Sequence, residues 1–123
     1  MNPRYSLRYF FEWYGPCLWA SNDAARDRCG VNVDELPLSD GTKNLAAELM
    51  VWHHQALNQD YPPDPSPWRQ DVCNRFNRAS KQLLQTIRDE LGNEYDIVDE
   101  QPLMSEDPNL DKYLKDPQGY RKS

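Results

Sequence analysis

Four prolines fall within six positions of this chain, at Pro62, Pro63, Pro65 and Pro67. A proline lacks the backbone N–H and restricts the residue before it, so the segment Asp60–Trp68 is stiff and non-helical until the last of them. Ser66 followed by Pro67 fits a helix N-cap and the first helical position. From there Val72, Phe76, Ala79, Leu83, Leu84, Ile87 and Leu91 recur at helical spacing, and Gly92 follows as a stop. The pattern predicts a helix of about 25 residues, near 37 Å at about 1.5 Å per residue.

The opening segment carries the other strong period. Tyr5, Leu7, Tyr9, Phe11 and Trp13 alternate with Ser6, Arg8, Phe10 and Glu12, which places five large side chains on one face of a strand that helices must cover. Tyr14-Gly15-Pro16 ends it, and Cys17-Leu18-Trp19 forms a short second strand or crosses the edge of the core. Ser21 or Asn22 can cap a two-turn helix that stops at Gly30. Val31 to Leu38 reads as an extended linker. Ser39, Asp40 or Thr42 can start a further helix whose apolar side is Leu45, Leu49, Trp52, His53 and Ala56.

Glu94–Asp99 reads as a closing strand with Tyr95 and Ile97 on one side. Pairing it with the opening strand ties both ends of the domain to one sheet. The expected fold class is therefore α/β of the α+β type: a small, mostly antiparallel sheet packed against the long helix and one or two shorter ones. Residues 1–99 are expected to form a single globular domain. Residues 100–123 form a polar tail in which Leu103, Met104, Leu110, Tyr113 and Leu114 can dock.

A chain of 123 residues with 38% hydrophobic residues, four tryptophans, seven tyrosines and three phenylalanines can fill one small core but not several domains. It holds no apolar run of membrane-spanning length, and its first twenty residues lack the apolar region of a secretory signal. Cys17, Cys29 and Cys73 are odd in number and share no CxxC spacing, which suits three reduced, partly buried thiols in a cytoplasmic protein. His53 and His54 are adjacent, so on a helix they diverge by about 100°, unlike the converging pair of HExxH. No metal or cofactor is expected. The adjacent carboxylate pairs do not define a sugar cleft, and no glycine-rich phosphate loop or GxSxG elbow occurs. A hydrolase would have to use His53 or His54 with a carboxylate or with one of the three cysteines.

Charge is more informative. The net charge is -6, which disfavours direct nucleic-acid binding. Within residues 31–65, Asp34, Glu35, Asp40, Glu48, Asp60 and Asp64 face Lys43 alone, whereas residues 66–93 are net basic and the stretch from Glu94 is acidic again. Folding that joins the two acidic regions makes a negative face that steers a basic protein toward it. Aromatic side chains anchor interfaces or clamp loops. Trp19 and Trp68 are assigned as clamps; Tyr14 and Tyr61 stay open between the two roles. The candidate partner-binding residues are Asp34, Glu35, Asp40, Asp60, Tyr61 and Asp64, with Tyr61 as the leading anchor.

Three stretches together, RYFFEWYGPCLWASND over 8–23, DELPLSDGTKN over 34–44 and WHHQALNQDYPPDPSPW over 52–68, give residues 5–99 an overall character. In it the chain resembles small bacterial immunity proteins that neutralise polymorphic or contact-dependent growth-inhibition toxins. The resemblance implies a cytoplasmic protein without catalysis of its own that binds one cognate toxin domain. Many such toxins are nucleases with basic grooves, which suits an acidic inhibitor. The small hydrolase just described and an acidic adaptor or regulatory subunit are the competing readings.

Overall fold

The computed structural model describes residues 4–12, 17–29, 36–61 and 63–122, with 27–29 and 121–122 given by backbone alone. Trp13, the Tyr14-Gly15-Pro16 corner, the Gly30 stop, Asp34 and Glu35 lie outside the described residues, as does the side chain of Cys29. Along the chain run β1 (Tyr5–Tyr9), β2 (Leu18–Ala20), α1 (Asp23–Cys29), α2 (Asp40–Gln55), α3 (Gln70–Leu91), β3 (Tyr95–Asp99), α4 (Leu110–Lys115) and α5 (Pro117–Lys122). This is the expected α+β class. More helices are present than the one or two expected beside the long one, because the C-terminal segment contributes α4 and α5.

The sheet has the order β2-β1-β3 and is mixed, which corrects the expectation of a mostly antiparallel one. β2 runs antiparallel to β1 with Leu7 opposite Ala20, while β3 runs parallel to it from Tyr5↔Tyr95 to Tyr9↔Asp99. The path of the chain explains the direction. β2 brings the chain back to the Tyr5 end of the sheet, where the Ser21 amide donates to the Ser6 carbonyl at 2.8 Å. Then α2 and α3 run antiparallel to each other. The start of α2 meets the end of α3 through Ser39 and Glu90 (2.6 Å), and its end meets the start of α3 through Trp52 and Trp68 (5.7 Å between rings). This out-and-back pair returns the chain to the Tyr5 end, where the Arg4 amide bonds Glu94 at 2.9 Å. A strand starting there and lying beside β1 is parallel to it, with the helices as the crossover.

The period of two in β1 holds: Tyr5, Leu7 and Tyr9 are buried, as is Phe11 just beyond. The strand is shorter than the sequence pattern, ending at Tyr9. The Tyr9 hydroxyl donates to the Ser80 carbonyl on α3 at 2.8 Å, anchoring the sheet to the long helix. Phe76 is the hub between layers, with ring centroids of Phe11, Trp52 and Trp68 at 5.3, 5.3 and 5.2 Å. In β3, Tyr95 and Ile97 share the buried side as expected.

Both long helices are capped from far away in sequence. Ser39 is the N-cap of α2 and accepts from the Thr42 amide at 3.2 Å. The Glu90 carboxylate near the end of α3 in turn accepts from the Ser39 amide and the Thr42 hydroxyl, and these bonds hold its pKa below the usual carboxylate value. Hence Thr42 is buried, and the inner side of α2 is Thr42, Ala46, Leu49 and His53, while Leu45, assigned to the apolar side, is 37% exposed. α3 starts at Gln70 with Arg69 as N-cap, three positions after the expected Pro67. The reason is a tail carboxylate: Glu106 accepts from the Gln70 amide and returns its own amide to the Gln70 side chain, both at 3.0 Å. Ser66 instead accepts from the Trp68 amide at 3.3 Å within the preceding turn.

The C-terminal segment lies along this framework. Its Leu110 and Tyr113 are buried, and Arg69 pairs with Asp111 at 2.8 Å.

Candidate functional site

The proline-rich loop is built around a residue the sequence pattern passed over. Buried Asn58 donates its side-chain N–H to the Pro65 carbonyl at 3.0 Å, and its Oδ1 accepts from the amides of Asp60 and Tyr61, both at 3.0 Å. An Asn whose side chain bonds the backbone two and three residues on is a turn former. Its place just before a proline cluster was the available signal. The Asp64 amide then donates to the Tyr61 carbonyl at 2.9 Å and closes the turn. The result sorts the candidates: Asp60 is exposed, Tyr61 is 48% exposed, and Asp64 is only 7% exposed and faces inward. Trp68 closes the base of the loop against Trp52 and Phe76, as a clamp. Trp19 does the same for the sheet edge, stacked on Phe10 at 5.1 Å with its indole N–H donating to the Phe10 carbonyl at 3.2 Å.

Asp40 stands exposed at the first position of α2, and Asp60 and Tyr61 follow the end of that helix. Sixteen residues of α-helix separate the two ends by about 24 Å. The structure therefore brings Asp60 and Tyr61 together and leaves Asp40 at the far end of α2.

His53 occupies a different setting. It is 5% exposed, stacked on Phe11 at 5.4 Å between ring centroids and tilted against Phe76 at 5.7 Å. Burial, with His54 beside it, pushes its pKa down to about 4, so the imidazole is neutral at physiological pH. Beside it a recess of about 460 Å³ is lined by Phe11, Glu12, His53, Gln101, Pro102 and Met104.

Cys17 and Cys73 are free and buried. Burial pushes the Cys17 thiol up to about 12 and raises Cys73 as well, the opposite of what activates a nucleophilic cysteine. Among the described residues no group of three or more His, Cys, Asp or Glu side chains could hold a metal ion. No helix among them is long and apolar enough to cross a membrane.

What the fold and these groups define is a small α+β protein that exposes an acidic and an aromatic side chain, Asp60 and Tyr61, side by side after α2. Residues 5–99, from the first residue of β1 to the last of β3, match the model of the Serratia CdiI immunity protein-like family. The chain belongs to that family, and its function is immunity, the binding of a cognate toxin. No curated protein matches the sequence.

Proposed function

We propose that this immunity protein neutralises a basic toxin domain, a nuclease, by covering its substrate groove with the acidic side of the molecule in the cytoplasm of the producing cell. The observation that carries the reading is the pair Asp60 and Tyr61, exposed on a loop whose backbone Asn58 holds in place. A preorganised loop loses little freedom on binding, and an aromatic ring buries much area with few rotors. The net charge of -6 supplies attraction at a distance, and Tyr61 supplies the desolvated contact. Asp40, at the far end of α2, adds to the field rather than to the central contact, and Asp34 and Glu35 stay candidate partner-binding residues. Asp64 acts by holding the loop. In this reading residues 1–99 form the immunity domain and residues 100–123 a docked tail.

The test is binding of the purified protein to the toxin domain encoded immediately upstream, followed at low and at physiological salt. Asp60→Lys is expected to slow association, and Tyr61→Ala to speed dissociation, each weakening affinity by about tenfold or more. Association rates at low salt that Asp60→Lys leaves unchanged would falsify the assignment of this face.

A further inference from the structure

The recess beside His53 has two walls of different origin. Phe11, Glu12 and His53 lie within the stretch that matches the family, whereas Gln101, Pro102 and Met104 lie beyond it. That second wall is held in place at each step. The Glu100 amide donates to the Tyr9 carbonyl at 2.9 Å, and its carboxylate takes two bonds from the Arg8 guanidinium, both at 2.7 Å. Gln101 Oε1 accepts from the Phe11 amide at 2.7 Å, and Asn77 on α3 bonds the backbone of Met104 in both directions, at 2.9 and 2.8 Å. The 100–104 wall is thus tied to both β1 and α3.

The rings of Phe11 and His53 and the side chains of Pro102 and Met104 make the walls largely apolar. His53 is neutral there, so the charge of the lining comes from exposed Glu12. Apolar walls and one exposed carboxylate match a side chain with a long methylene stem and a cationic head. A guanidinium pairs with a carboxylate through two parallel bonds, which an ammonium does not do. The thioether of Met104 can adapt to the stem.

We propose that this recess seats an arginine side chain of the toxin domain, with the stem between Phe11 and Met104 and the guanidinium on Glu12. The inference rests on the reading that the partner is a basic toxin, and it adds a second anchor to Tyr61.

The experiment measures affinity of the full-length protein for the toxin domain encoded immediately upstream, with Glu12→Gln, Pro102→Trp and Asp60→Lys compared in parallel. Both Glu12 and Pro102 are exposed, so circular dichroism and thermal melting are expected to match the parent. Glu12→Gln removes the charge and Pro102→Trp fills the opening; each is expected to weaken binding by about tenfold. Binding within twofold of the parent for both variants overturns the proposal. A loss with Pro102→Trp alone overturns the cationic occupant. If Asp60→Lys weakens binding while the other two do not, the acidic-face reading stands and the arginine seat fails. If only the recess variants weaken it, the seat stands and the face around Tyr61 fails.

Discussion

His53 offers a quantitative check on the packing. An unfolded chain protonates this imidazole near pH 6.5, whereas burial against Phe11 and Phe76, with His54 adjacent, pushes it to about 4 in the folded protein. Between those values the unfolded state binds more protons, so stability rises with pH across the window. The contribution is fully present above about pH 6.5 and is lost as pH falls toward 4. Integrated from pH 7.5 to pH 5, the loss is about 2 kcal/mol. Glu90 and Glu100 do not interfere there. Their hydrogen bonds depress their folded pKa values, so what they add is present above the ordinary carboxylate value near 4.5 and is lost only as pH falls through the lower folded one. The assay is urea unfolding followed by tryptophan fluorescence at pH 7.5 and pH 5, on the parent and on His53→Phe, which keeps a ring and cannot titrate. The variant is expected to lose about 2 kcal/mol less than the parent between the two pH values. An equal loss in both proteins would refute the reasoning, as would a His53 NMR titration midpoint near 6.5.

Two further outcomes concern stability. Phe76→Ala removes the ring that contacts Phe11, Trp52 and Trp68, and is expected to cost about 3–5 kcal/mol; a urea midpoint close to the parent would show that Phe76 is not the hub. Ser39→Ala removes the cap of α2, an expected loss of about 1 kcal/mol and a few degrees in melting temperature. Calorimetry showing no shift would mean that Glu90 alone holds that helix end.

The elements legible in the sequence were those written in a local period. The alternation of Tyr5, Leu7 and Tyr9 and the stripe from Phe76 to Leu91 reflect a single buried face each, and both appear as expected. The direction of β3 was not legible, because it depends on how α2 and α3 return the chain and not on anything within Tyr95–Asp99. The start of α3 was displaced for a similar reason: Pro67 satisfied the local rule, but Glu106, far along the chain, supplies the cap at Gln70. Leu45 was assigned inward and Thr42 was not, since nothing local announces that Glu90 will satisfy a buried hydroxyl. At the site, Tyr61 and Asp60 emerge exposed, whereas Asp64 is buried, with its amide on the Tyr61 carbonyl. The recess combines three distant stretches, 11–12, 53 and 101–104, and has no sequence signature.

The position of β1 at the centre of the sheet has a consequence for when protection begins. Before β3 exists, β1 holds only the short antiparallel partner β2, and its other edge is open. Tyr5 and its partner Tyr95 are separated by nearly the whole domain, so the sheet closes only after the last strand has been synthesised. At about 5–20 residues per second, translating the intervening chain takes on the order of 5–20 s. Until translation has passed Asp99 one edge of β1 has no partner, so a chain cut short before β3 is expected to lack the finished sheet.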